Sequence, residues 1–261
     1  MKVRTTVVAA SALVLCLAAT GCGPEGGEDK GPDKKAAASQ KADPGTESVG
    51  GTGTAAPDAS AAAPKPSSSG KTLTEAELAE VALKTGELPD YAIAPLEGAD
   101  ERGTEESEDE ACRPITAIIN GSPEPAPAAT VFRTAMDTTE EGKDDQTVVT
   151  EILTSHPAGG AEELLSSVRA AVKACAGGFR ATSEDGPSTY TAVKALSAPR
   201  AGQDSFAYQV TGSLAGAKVP LVFHLVRTGS TVVTFYAANF LTATTPEVPA
   251  ALVTAQAAKL P

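Results

Sequence analysis

The sequence predicts an α+β fold: an antiparallel β-sheet with long helices packed on one face, preceded by a disordered tether. Three observations carry this expectation. Five runs rich in β-branched and aromatic residues follow one another between Phe179 and Asn239. Ala161 to Ala174 has the strongest helical periodicity, with Leu164, Leu165, Val168, Ala171, Val172 and Cys175 on one face. From Gly23 to Gly70 the chain is mostly Gly, Pro, Ala, Ser, Thr and charge, with Val49 as its only large aliphatic residue and no aromatic. Such a stretch buries too little apolar surface to offset the entropy of ordering it.

The first residues set the compartment. Lys2 and Arg4 form a short positive region, and Val7 to Ala18 is an apolar run too short to span a bilayer as a mature helix. Ala19-Thr20-Gly21 supplies small residues for cleavage, and Cys22 follows directly. This pattern resembles the bacterial lipobox, whose cysteine is diacylated and becomes the first mature residue; Ala19 stands where the commonest lipobox has Leu. The alternative is an ordinary secretory signal that leaves Cys22 as a free thiol. The expected organisation is a signal peptide over 1–21, a lipidated Cys22 with its tether over 22–70, and a folded domain over 71–261. A coil of roughly 48 residues has a root-mean-square reach of about 40 Å.

A formal charge of -12 argues against nucleic acid and against adsorption to an anionic bilayer, so the expected route to the membrane is the lipid on the outer face of the cell membrane. Of four cysteines, Cys16 leaves with the signal and Cys22 carries the lipid, which leaves Cys112 and Cys175. A pair in an exported domain reads as a disulfide. Zinc would need further ligands at characteristic spacing, and the chain has neither CxxC nor HxxxH.

Within the domain, Thr74 and Glu77 have capping-box spacing, with Leu73 and Leu78 placed as a hydrophobic staple. Gly86 and Pro89 end that helix. Tyr91 to Leu96, between Pro89 and Pro95, reads as an edge strand or extended connection. Glu97 to Glu110 is an acidic loop expected to be solvated. Pro114, Ile115, Ile118 and Ile119 give a short amphipathic helix, which Ser122 to Ala128 breaks. Thr130 to Met136 and Thr147 to Thr154 form a hairpin with the polar tip TTEEGKDDQ. The main helix ends at Gly177-Gly178, where a left-handed cap is expected. The strands that follow are Phe179 to Ser183, Ser188 to Leu196, Ser205 to Leu214, Val219 to Arg227 and Thr231 to Asn239, the last two joined by a tight turn at Thr228-Gly229-Ser230. A helix within Pro246 to Leu260 closes the chain.

The capped LTEAELAEVAL opening, a cysteine ahead of a short helix, AEELLSSVRAAVKAC ending on a second cysteine, and the paired strands of LVFHLVRTGSTVVTFYAANF together resemble actinobacterial PknH-like extracellular sensor domains. The likeness covers about Leu73 to Leu260 and rests on element order and cysteine placement. It implies a sheet with helices against it and a cleft that receives a ligand. Some members are outer domains of receptor kinases and many are free lipoproteins; here the kinase and its transmembrane helix are missing.

Other motifs weigh little. Gly70-Lys71-Thr72 lacks the first P-loop glycine, since position 65 is Lys65, and no strand precedes it. Asn120-Gly121-Ser122 is a formal glycosylation sequon, followed by Pro123 in a chain with a bacterial signal. His156 and His224 are the only histidines. His224 reads as a partly buried strand residue opposite to Phe223 and Leu225, and His156, before Pro157, reads as exposed. No GxSxG surrounds a serine and no cysteine is free as a nucleophile, so no catalytic residue is assigned. Glu105, Glu106, Glu108, Asp109 and Glu110, with Asp137, Glu140, Glu141, Asp144 and Asp145, invite a calcium reading, but neither loop has EF-hand spacing and such runs are usually solvated surface. No metal or cofactor is expected. The expected function is a membrane-anchored binding module for a small molecule or cell-envelope component, rather than an enzyme; the alternative is a surface that docks a membrane or cell-wall partner without a pocket.

Overall fold

The computed structural model describes residues 70–98, 102–145, 148–214, 216–240 and 244–261. Cys22 and all of the expected tether except Gly70 lie outside the described residues. The chain enters at Gly70 and forms α1 (Glu75–Val81), β1 (Tyr91–Pro95), β2 (Glu106–Ser107), α2 (Arg113–Ile119), β3 (Ala129–Asp137), α3 (Glu140–Asp145) and β4 (Val148–Ser155). It continues through α4 (Gly160–Ala174), β5 (Phe179–Ser183), β6 (Gly186–Leu196), β7 (Asp204–Leu214), β8 (Ala217–Thr228), β9 (Thr231–Ala238) and α5 (Ala250–Lys259). The nine strands form one antiparallel sheet in the order β1-β3-β4-β9-β8-β7-β6-β5-β2.

Several local expectations are met. Thr74 and Glu77 make the capping box, and Leu73 and Leu78 are both buried in one core. The last five strands are a meander, and Gly229 takes a positive φ in the two-residue turn between β8 and β9. Gly178 has φ +91 after α4, and a Cβ there would meet the Tyr190 carbonyl at 2.2 Å. β1 is an outermost strand of the sheet.

The placement of the helices differs from the sequence expectation. On β8, Leu221, Phe223 and Leu225 join a core with α2 and α4, while Val226 joins the core containing Leu78 of α1 and Leu252 and Val253 of α5. On β9, Val232 faces the first core and Val233, Phe235 and Ala237 the second. Successive side chains point to opposite faces. The helices therefore cover both faces of the sheet, α2 and α4 on one and α1 and α5 on the other. Among the described residues they are also short, the longest being the 15-residue α4. The physical reason lies in the central strands, whose apolar runs VPLVFHLV and TVVTFYAA do not alternate with polar residues. A strand that is apolar on both sides needs cover on both sides.

Two ion pairs fasten α4 to the sheet. Arg169 donates to both carboxylate oxygens of Asp204 on β7, at 2.9 and 2.7 Å, and its guanidinium lies 5.2 Å from the Phe206 ring centroid. Arg227 of β8 donates to Glu162 at 3.0 Å. Cys112 and Cys175 are bonded, joining the 3-10 turn before α2 to the end of α4. On the other face α5 holds α1: Gln256 accepts from the Leu83 N–H at 2.8 Å and donates to the Val81 carbonyl at 2.9 Å, and Lys259 donates to the Ala82 carbonyl at 2.9 Å.

Candidate functional site

The ends of the central strands define the geography of the domain. At one end lie Ser155 and the β8–β9 turn, and here the chain enters. Ser230 donates to the Lys71 carbonyl at 2.6 Å, Thr72 to the His156 carbonyl at 3.0 Å, and the Leu73 N–H to Ser155 at 2.7 Å. At the other end, seven residues along β4 or roughly 24 Å away, β3 and β4 meet at the Met136–Val148 pair.

A cleft of 770 Å³ opens at this second end, on the face covered by α1 and α5. Its floor is Ala135 and Val149, cross-strand partners on β3 and β4. Tyr91 of β1, paired with Asp137 of β3, forms one side. Glu141 and Gly142 of α3 form another, and the segment 244–249, which leads into α5, forms the third. Asp137 is fixed in place. Its Oδ1 accepts from the Thr139 N–H at 2.8 Å and the Thr139 hydroxyl at 2.7 Å, and these bonds hold its carboxyl below the usual carboxylate range. α3 packs closely on it: a Cβ at Gly142 would sit 2.2 Å from the Asp137 carboxyl carbon, so glycine is required there. Burial, with Asp137 and Asp90 nearby, raises the pKa of the Tyr91 hydroxyl. Three carboxylates, Asp137, Glu141 and Glu247, thus surround a small apolar floor flanked by Tyr91, Pro246 and Pro249, with Thr244 and Thr245 as further polar groups. Among the described residues the lining contains no histidine, serine or cysteine.

A second cleft of 700 Å³ lies beside α2 and β2, at the opposite edge of the sheet. It collects Glu105, Glu106, Glu108, Glu110 and Glu124 around Arg113. Several of these charges are already engaged. Arg113 pairs with Glu124 at 2.7 Å, and Arg180 with Glu108 at 3.6 Å. Glu105 accepts from the Ser188 hydroxyl and, at 2.5 Å, from the Tyr190 hydroxyl. The expectation that this loop is simply solvated is corrected at Glu105, which binds the loop to β6. The two acidic stretches stand at opposite edges of the sheet and do not converge. Among the described residues no group of three His, Cys, Asp or Glu side chains is placed to hold a metal ion.

His156 is also corrected. It is fully buried, with Nε2 3.0 Å from the Thr154 hydroxyl, and Pro125 and Gly160 crowd the site; burial pushes its pKa down to about 4. The sequence hid this because Pro125 reaches the site from a distant loop. His224 is buried on the α1/α5 side, opposite to Phe223 and Leu225, with its ring 6.3 Å from that of Phe235, and burial lowers its pKa. Sequence reasoning singled out Asp137 and Glu141 only as members of a charge run. It missed Tyr91 and the TTPEVP segment as cleft walls and gave no role to Glu151, a fully buried carboxyl on β4. The signal for Glu151 is its place: a glutamate inside the apolar run VVTEIL.

No family model matches the chain, and no curated protein matches it in sequence. Among solved structures the chain is similar to the extracellular domain of PknH from Mycobacterium tuberculosis, at 13% identity and a TM-score of 0.47, over 72% of this chain and 95% of that one.

Proposed function

We propose that this chain is a lipid-anchored extracellular binding module of the PknH-like sensor kind, which captures a small molecule or cell-envelope component in the cleft between β1, β3, α3 and the 244–249 segment. The observation that carries the reading is the cleft itself. Its 770 Å³ falls in the range of small-molecule sites, and it combines an apolar floor with a few polar groups of one sign. Asp137, Glu141 and Glu247 select a ligand bearing positive charge, and Tyr91 offers an aromatic face to its cationic group. A lipid on Cys22 would tether the domain through Gly70, which lies beside the β8–β9 turn at the end of the sheet away from the cleft. The test is native mass spectrometry of the protein purified from its own cells. A non-covalent adduct that disappears in a Tyr91→Ala/Asp137→Asn variant supports the reading; a bare protein mass in both contradicts it.

One observation favours docking of a partner as the second reading. Met136 and Val148 are cross-strand partners, 49% and 39% exposed, and Phe240, two residues past β9, is 60% exposed. Met136 and Val148 lie on the sheet face opposite the cleft floor. Cross-linking in cells that is lost on Met136→Ser/Val148→Thr, with the cleft variant unaffected, would favour docking over capture.

A further inference from the structure

Glu151 has no side-chain hydrogen bond on either carboxylate oxygen, although the residue is fully buried. It stands in the middle of a cross-strand row, Arg133–Glu151–Phe235–His224, that runs over β3, β4, β9 and β8 on the α1/α5 face. Two residues before Arg133 and Glu151 on the same face lie Val131 and Val149; two after Arg133 lies Ala135, so the row adjoins the cleft floor of Ala135 and Val149. The charged groups that act on Glu151 are Arg133 from β3 and Lys259 from α5. Neither bonds to it: Arg133 donates to the Phe132 carbonyl, and Lys259 to the Ala82 carbonyl and Glu87. β9 brings Phe235, and β8 brings His224 beyond it. α1 brings Leu78 to this core and its C-cap residue Ala82 follows, with Glu75 and Glu80 exposed and Glu77 engaged by Lys71.

α5 shares this core through the fully buried Leu252 and Val253. Its N-terminus has no side-chain cap, and the side-chain hydrogen bonds of Gln256 and Lys259 go to Val81, Ala82, Leu83 and Glu87 and not to the sheet. The segment that leads into it, 244–249, is a wall of the cleft.

We propose that Glu151 is a proton-operated latch for α5: while the carboxyl keeps its proton, α5 and the 244–249 wall stay seated on the sheet, and ionisation of the buried carboxyl loosens them. An uncharged carboxyl tolerates an apolar site; an unpaired carboxylate does not. Burial pushes this carboxyl up to about 7, with Arg133 and Lys259 pulling the other way. The closed state therefore holds the proton over a pH range in which an opened, solvated glutamate has lost it. The latch weakens as pH rises from the ordinary glutamate range to neutrality, and no further above it. Its bearing on capture rests on the reading of the cleft given above; the latch itself does not.

The test is hydrogen exchange of the whole ligand-free chain between pH 4 and 7.5, corrected for the intrinsic pH dependence of exchange, in wild type, Glu151→Gln and Glu151→Met. The expected result is that opening of α5 over Leu252 to Ala258 rises, relative to either variant, on the order of a hundredfold across this range. Taking each profile relative to the variants cancels the contributions of His156 and His224. The α4 amides, on the other face, should not change by the same factor. Wild-type α5 that tracks the variants at every pH overturns the latch, as does an equal change in α4, which would mark a global effect. If the α5 result is obtained and native mass spectrometry finds no ligand, the latch stands and the cleft reading falls, so the two fail separately.

Discussion

Arg169 grips Asp204 through both carboxylate oxygens and stands over Phe206, so α4 is pinned to β7 by charge and by ring contact. The pair is partly exposed, which limits its worth in spite of the two-pronged geometry. A double-mutant cycle with Arg169→Ala and Asp204→Ala, read by urea unfolding, should give a coupling of about 1 kcal/mol. The guanidinium holds the Asp204 carboxyl below its ordinary value, so this stabilisation is present above the unfolded carboxylate range and lost as pH falls through the folded value. A coupling of zero would mean that the contact is incidental.

His156 sets the acid limit. Its folded value of about 4 lies below the ordinary 6.5, so between these values the unfolded chain binds a proton that the native chain does not. Stability from this group is complete above pH 6.5 and falls on acidification toward 4, by about 2 to 3 kcal/mol. Glu151 acts in the opposite sense over much of the same range, so the two offset one another in the wild type. Relative to wild type, His156→Gln should gain stability in thermal unfolding as pH falls from 6.5 toward 4, because the Glu151 contribution is left unopposed. Parallel profiles would show that His156 titrates alike in the folded and unfolded chain and would contradict the effect of its burial.

The Cys112–Cys175 bond closes a loop of 63 residues. In the chain-entropy picture, a Cys112→Ser/Cys175→Ser variant should lose about 4 kcal/mol in urea unfolding. An unchanged midpoint, or free thiols found by alkylating the native protein, would contradict a structural role.

Cys22 is expected to carry the lipid, because it follows a short apolar run and three small residues. Cys22→Ser should move the protein from the membrane fraction to the medium. Continued retention in the membrane would remove the anchor from the proposal.

Much of the fold was legible in the sequence because it is written locally. The Thr74–Glu77 box, the Gly229 turn and the periodicity of α4 each act within a few residues. The helix positions were not, because a helix pattern reveals which side of the helix is apolar but not which face of the sheet receives it. The unbroken apolar runs of β8 and β9 held the missing information: they require cover on both faces. The candidate site was still less legible. Tyr91, Asp137 and Glu247 come from three separated segments, and only the β1–β3 pairing and the approach to α5 bring them together. His156 misled and Glu151 was passed over for the same reason, since burial of a polar side chain is decided by residues far away in the chain.

The central claim is that the cleft is occupied in the cell, and carboxyl footprinting measures this most directly. Carbodiimide labelling is read by peptide mass spectrometry on the anchored protein in intact cells and on the purified, ligand-free chain. Glu141 and Glu247 should be labelled several-fold less in cells, while Glu163 and Glu184, exposed elsewhere on the domain, are labelled alike in both. Equal labelling of all four sites in the two samples would contradict the account.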